Sequence, residues 1–509
     1  MNKLFVAFIF PLLFSTTASR ADNKTPAAGG YEIKIRIKSL KDTSAVLANY
    51  FGDKTYKADT GHFDKNGWVV FKGAHPLPCG VYMLACGTAK MFEFIVKDQF
   101  FSIETDTGDY LAKAKLKGSP ENEIFFKFQQ HSSSYGYKIY HLRNDVAELE
   151  KDSTKAKLAT KLRDSASKLE KEERAYTKKI LDQYPESVLN KILKITEDIV
   201  VPPSPKDANG KVIDSMFQSR YFLDHYWDLV DFKSECIIRS PVYHNKLKTY
   251  FDKVVVPIPD TVIVYADRLI EQTRGNYDLF KYTVHYLTNL YGNAQYICQD
   301  AIAVHLILKY YTFKDCNWVD SAEIVRMRAR AETALPTLCG KIAPDVAMHD
   351  SILERHIIHV VKTETNNTVE RSNKIFGLMQ KYGTANLHSV KADYTVIVFW
   401  DPDCSHCKAE MPKLKAFYEK YKSQGVEIYA ACVEQDYDKW IKYIYDNQLK
   451  WVNVIDIYNI SEFRKYYDIS ATPVIILVDK NKKIIAKKIN AEALEPLIEH
   501  DKREKEGKN

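Results

Sequence analysis

The stretch Tyr394-Thr395-Val396-Ile397-Val398-Phe399-Trp400-Asp401-Pro402-Asp403-Cys404-Ser405-His406-Cys407 decides how the carboxy-terminal part of this chain folds. Its first seven residues form a run rich in β-branched and aromatic side chains, the composition of a strand buried in a mixed sheet. Asp401-Pro402 interrupts the run, and Lys408 to Lys422 is helical in composition. Cys404 therefore falls at a helix amino terminus, where unpaired N–H groups and the helix dipole stabilise a thiolate. Such placement lowers a cysteine pKa from about 8.5 into the range of roughly 3.5 to 7.5. Cys407, one turn later, faces the same side and is within reach for closing a disulfide. The spacing predicts a nucleophile and a resolving thiol.

A zinc site and an inert structural bridge are the bland alternatives. Zinc needs four ligands, and no second Cys-x-x-Cys or paired Cys/His spacing exists in the sequence. A structural bridge over so short a loop would remove little chain entropy. Redox chemistry is the better reading.

Working outward, Cys407 is followed by helix, strand, helix, strand and helix patterns, then by Ala471-Thr472-Pro473 ahead of the apolar Val474 to Val478. Pro412 lies five residues after Cys407. Together with Trp400, these residues resemble the thioredoxin-fold thiol-disulfide oxidoreductases of the extracytoplasmic TlpA/ResA type. The resemblance is specific over about 385 to 500 and implies an α/β domain over 341–509. In it Pro473 is cis and packs against the cysteine pair, Thr472 and the neighbouring backbone bind the substrate chain, Pro412 kinks the active-site helix, and Trp400 and His406 support the site. Gly340 to Asp345 resembles the lead-in strand. Disulfide-containing proteins are the expected substrates, no cofactor or metal is expected beyond a redox-active Cys404–Cys407 disulfide, and a reductant outside the cytoplasm needs its electrons replenished across the membrane, which implies a membrane-embedded thiol reductase as electron donor.

Two departures stand out. Thioredoxin proper has a buried Asp six residues before the first cysteine; Val398 occupies that place, leaving Glu410 and Glu434 as candidates for proton handling. An insert at about 351–383 separates the lead-in from the central strand and reads as a helical lid or partner platform. A peroxiredoxin-like peroxidase is disfavoured, because its cysteine follows a Thr or Ser by three residues and a Pro by seven, whereas Cys404 has Asp401 and Ile397 there. A non-enzymatic binding or docking protein with a redox-sensitive clasp is the alternative of a different class. Asp401, Asp403 and Glu410 against Lys408 give the site a negative balance, which disfavours a thiolate at short range and predicts a reductant of protein disulfides.

The rest of the chain is organised around this domain. At 509 residues, about three domains of roughly 150 residues each are expected. Residues 31–118 alternate in period two, as in Glu32-Ile33-Lys34-Ile35-Arg36-Ile37-Lys38, with turns at Asn66-Gly67 and Thr107-Gly108, and predict a β-rich module. Residues 119–340 are helical in pattern. Within them Leu149 to Lys179 carries ten Lys or Arg against six Asp or Glu and reads as a solvated helix with a thin stripe at Leu158, Leu162 and Leu169. An anionic-partner surface is the other reading. His225-Tyr226-Trp227 and Tyr310-Tyr311-Thr312-Phe313 read as core aromatics or a ligand groove, and His285 and His305 as satisfied core histidines.

Composition bounds the remainder. With 45% apolar and 27% charged residues and a net charge of +7, the chain is globular and no dedicated nucleic-acid binder. Lys3, the apolar run Leu4 to Phe14 and Ser19-Arg20-Ala21 make residues 1–21 a secretory signal peptide, and the run is too short for a spanning helix. No Cys follows it, so a lipoprotein is excluded and a periplasmic location expected. Of nine cysteines, Cys79 and Cys86 flank the strand-like Val81 to Ala85, would lie roughly 23 Å apart and cannot pair with each other. They are expected to be packed thiols.

Overall fold

The computed structural model describes residues 29–507 except 42, 88, 294–296 and 365–366. The signal peptide expected at 1–21 falls outside the described residues. The described residues divide into two compact units, one within 29–198 and 229–245, the other within 199–228 and 246–507. The helical stretch 119–340 is thus shared between two bodies.

In the first unit, the alternation at Tyr31–Ile37 becomes a strand whose Tyr31, Ile33, Ile35 and Ile37 point inward. It lies between Trp68–Gly73 and Phe100–Thr105 in one four-stranded sheet; a second holds Lys54–His62, Ser44–Phe51, Gly80–Cys86 and Ala89–Val96 in that order. Both contribute to one core with Leu47, Leu84 and Phe94. The turn at Asn66-Gly67 places Gly67 at φ +78°, where a Cβ would lie 2.5 Å from the Ile37 carbonyl oxygen. Helical residues complete this core. Phe125 and Phe126 of helix Pro120–Leu149, and Val188, Leu189 and Ile192 of helix Val188–Thr196, are buried in it, which is why this part of the helical stretch belongs with the sheets.

Cys79 is not a packed thiol, for it is bonded to Cys236, 157 residues away. Cys86 remains a thiol. The basic helix, Ala156–Gln183, lies against Pro120–Leu149 and is largely solvated, and the expected apolar stripe is kept in part. Leu162 and Leu169 are half-buried and Leu158 is 49% exposed, while the fully buried positions are Ala159 and Ala166, whose small side chains allow two helices to approach closely.

The second unit combines helices Pro259–Thr273, Tyr277–Gly292, Asp300–Tyr310 and Ser321–Ala334 with the α/β domain. Tyr226, Trp227, Tyr310 and Tyr311 are core aromatics, whereas Phe313 is exposed. His305 is half-buried against the Asp267 carboxylate, but His285 is exposed and is not a core histidine.

The α/β domain holds a five-stranded sheet in the order Val452–Ile455, Val426–Cys432, Tyr394–Trp400, Val474–Asp479, Ile484–Lys487. The first three strands are parallel, and Val474–Asp479 runs antiparallel to both of its neighbours. All seven residues of the central strand are buried, as its composition requires. Val396, Val398 and Trp400 face one apolar layer with helices Ser405–Tyr421 and Leu494–Lys505, while Ile397 and Phe399 face another with Phe463 and Tyr467. Gly340 to Asp345 is no regular strand. It exchanges hydrogen bonds with Ile484 and Lys482 along the sheet edge, and Pro344 lacks the N–H needed to continue the ladder. The insert is a helical pair, Ser351–Thr363 and Thr368–Tyr382, fastened by a buried contact of 2.6 Å between His349 Nδ1 and the Glu354 carboxylate. No helix among the described residues is long and apolar enough to cross a membrane.

Candidate functional site

The site forms where the central strand ends and the next helix begins. Cys404 is the N-cap residue of Ser405–Tyr421, and its carbonyl accepts the Lys408 N–H at 3.0 Å. Its half-buried Sγ lies 3.3 Å from the Thr472 carbonyl oxygen, and the Thr472–Pro473 peptide bond is cis. Cys407 is only 1% exposed, and its Sγ accepts the Asp401 N–H at 3.5 Å. Both are thiols in this structure.

The two environments drive the thiols apart. For Cys404, burial is the largest single influence and raises the pKa. Hydrogen bonds from the Thr472 side chain, from Cys407 and from the His406 backbone outweigh it together, lowering the thiol to about 7. Cys407 has burial as its dominant influence and is pushed up to about 11. A third thiol, Cys432, ends the adjacent strand opposite Trp400 in register and is raised by burial. Among these, Cys404 alone combines access with a lowered pKa, the conditions for a thiolate nucleophile near neutral pH.

The remaining expected residues take different places. Trp400 is fully buried with its ring 5.1 Å from that of Tyr443, so it supports the site by packing and offers no surface to a substrate. The His406 imidazole is exposed, and what reaches Cys404 from this residue is the backbone N–H. Pro412 lies inside the helix, which continues to Tyr421. Glu410 accepts the Ala491 N–H at 3.0 Å and pairs with Lys413 at 2.9 Å, so its carboxylate is committed to holding the helix and contacts neither cysteine. Glu434 sits with Asp401 and Asp403, their oxygens within 4.8 Å of one another, and Lys439 pairs with Asp403 at 2.8 Å.

These pairings correct the charge argument. Asp403 and Glu410 are each matched by a lysine, so three carboxylates do not act together on Cys404, and the thiolate is favoured despite them. A separate cavity of about 590 Å³, lined by His388, Lys391, Asp393 and Lys482 among others, opens at the far end of the central strand, away from the cysteines. No pattern in the sequence indicates that helix Ser321–Ala334 borders the Thr472 loop: Arg330 Nη2 lies 3.5 Å from Ser470 Oγ and 3.6 Å from the Asp468 carboxylate.

A buried central strand, a helix opened by the cysteine pair and a cis-proline facing it define a thioredoxin-like domain, and the thioredoxin-like family matches residues 392–484. Two families described only as domains of unknown function match residues 211–336 and 31–125. The domain has ResA-type thiol-disulfide oxidoreductase homologues. The ResA of Bacillus cereus is 29% identical over 111 residues, 22% of this chain and 63% of the relative. That of Geobacillus kaustophilus is 33% identical over 104 residues, 20% of this chain and 59% of the relative. The chain thus spans less than two thirds of these relatives' length. A thioredoxin-like protein from Bacteroides caccae is 18% identical, with a TM-score of 0.42, over 60% of this chain and 99% of that structure.

Proposed function

We propose that this chain is a periplasmic thiol-disulfide oxidoreductase that reduces protein disulfides through Cys404 and Cys407. The observation that carries this reading is the asymmetry of the pair: an accessible thiol at about 7 one helical turn from a buried thiol at about 11. The Cys404 thiolate attacks one sulfur of a substrate disulfide; a mixed disulfide forms and a substrate thiolate leaves. Cys407 then loses its proton to the leaving thiolate and attacks Cys404 Sγ. The second substrate thiol is released, the substrate gains two electrons, and Cys404–Cys407 becomes a disulfide.

The direction follows from the nucleophile. A pKa of about 7 matches the thioredoxin value, about 7, and is far from that of the oxidant DsbA, about 3.5. Weak thiolate stabilisation leaves the reduced form a ready electron donor, with a potential nearer about −270 mV than about −120 mV. A reductant beyond the cytoplasmic membrane needs its electrons replaced, which implies a membrane-embedded thiol donor. Glu434 is the remaining candidate for assisting Cys407, since Glu410 is committed elsewhere.

The test is turnover and trapping with the full chain. The wild type should reduce the neutral hydroxyethyl disulfide, and Cys407→Ser should accumulate mixed disulfides. A redox titration above roughly −180 mV, the value of protein disulfide isomerase, would overturn the direction.

A further inference from the structure

We propose that helix Ser321–Ala334, within the region of unknown function, is a wall of the substrate groove, and that Arg330 selects for a carboxylate on the disulfide-bearing polypeptide. This rests on the oxidoreductase reading above.

Position is the first argument. Arg330 contacts Ser470, two residues before Thr472, whose carbonyl lies against Cys404 Sγ. Cys407 and the helix body close the inner side of Cys404, so a partner sulfur arrives across the 470–473 loop. The helix is held in place there. Cys298–Cys339 joins the helical region to the start of the α/β domain, and Cys298 Sγ lies 3.6 Å from the Ile485 carbonyl of the edge strand. Lys487 of that strand, 6% exposed, pairs with Asp300 at 2.6 Å.

Charge is the second. Asp468 faces two cations, Arg330 and Lys488, each at 3.6 Å, so one positive charge beside the loop lacks a matching carboxylate among the described residues. The Arg330 side chain is 56% exposed. Its contacts are long, and a guanidinium has five N–H donors, so donors remain for a bidentate carboxylate. The other arginines of the helix are engaged: Arg326 with Glu323, Arg328 with the Leu308 and Tyr311 carbonyls. Across the central strand the balance reverses. Asp401, Asp403 and Glu434 have Lys439 on Asp403. The groove is positive on the Thr472 side and negative on the Glu434 side, and a polypeptide laid across Cys404 is read by both.

The experiment uses the full chain and three disulfide peptides that differ in one flanking residue, Glu, Gln or Lys. An exposed ion pair predicts that the wild type favours Glu over Lys by about three- to fivefold in kcat/KM, through KM, with the preference fading as salt is raised. Arg330→Glu should invert the ratio and Arg330→Lys should keep its direction. Lys488→Glu, on the same carboxylate, should move the ratio as Arg330→Glu does and serves if that variant does not fold. An unchanged Glu/Lys ratio in the charge-reversed variants would overturn the proposal. Absence of wild-type turnover even on hydroxyethyl disulfide would instead remove the oxidoreductase reading, and this proposal with it.

Discussion

Two cysteine pairs occupy one unit of this molecule, and their surroundings give them different work. Cys404 and Cys407 sit three residues apart at a helix amino terminus, one thiol accessible and the other buried. Cys298 and Cys339 lie 41 residues apart, bonded, on the flank of the edge strand. The first pair closes too short a loop to stabilise the fold and is placed to react. The second is already bonded and ties the helical region to the sheet, although Cys298 also lies just ahead of a helix, Asp300–Tyr310. Loop length and local hydrogen bonding, rather than the residue type, separate reactive from structural cysteines here.

The comparison can be broken most forcefully at the nucleophile. Cys404→Ser should abolish disulfide exchange, whereas Cys298→Ser with Cys339→Ser should leave the Cys404 thiol reactive. Residual turnover in the first variant would show that another thiol can attack. The second effect is on stability. Closing a loop of 41 residues is worth roughly 3–4 kcal/mol in the chain-entropy model, so the Cys298/Cys339 double variant should lose about that in denaturant unfolding. Cys79–Cys236, closing 157 residues, should matter as much or more to the other unit. A third change tests the same flank. Asp300→Asn leaves the buried Lys487 ammonium without its partner and should cost about 3 kcal/mol, while Lys487→Met should cost less because the carboxylate it leaves unpaired, Asp300, is 27% exposed and reaches water. Equal losses would place the effect in packing alone.

The smallest effects concern proton linkage. Thr472→Val removes a side-chain hydrogen bond to Cys404 and should raise its pKa, slowing alkylation near pH 7 several-fold without moving the midpoint of unfolding much. The sign for the reduced protein follows from the depressed Cys404 value. Its contribution is present above the ordinary cysteine pKa and is lost as pH falls through about 7. Reduced protein should therefore gain stability relative to oxidised protein between about pH 7 and 9. Cys407, being raised, contributes oppositely as pH climbs toward about 11.

The α/β domain was legible because its signals are local. Seven consecutive strand-forming residues predicted a buried central strand, and the Cys404-x-x-Cys407 spacing placed the pair at a helix start, both from adjacent residues. Features joining distant segments were not. No spacing reveals that Cys79 meets Cys236, that Lys487 buries against Asp300, or that Arg330 reaches Ser470. The stripe in the basic helix was only partly right, with Leu162 and Leu169 half-buried but Leu158 exposed, because the sequence shows which residues are apolar but not how close a neighbouring helix comes, and close approach selected Ala159 and Ala166. The site charge was misjudged for the same reason, since Lys439 neutralises Asp403 from 36 residues away.

The central claim, that surroundings make Cys404 the nucleophile and Cys407 the protected partner, is tested most directly by limiting iodoacetamide labelling of the reduced full chain between about pH 5 and 10, read at each cysteine by peptide mass spectrometry. Labelling of Cys404 should reach half its maximal rate near pH 7 and fall about tenfold per unit below that, with Cys407 nearly unlabelled throughout. Equal labelling of the two cysteines at neutral pH, or a Cys404 midpoint near the ordinary value of about 8.5, would contradict it.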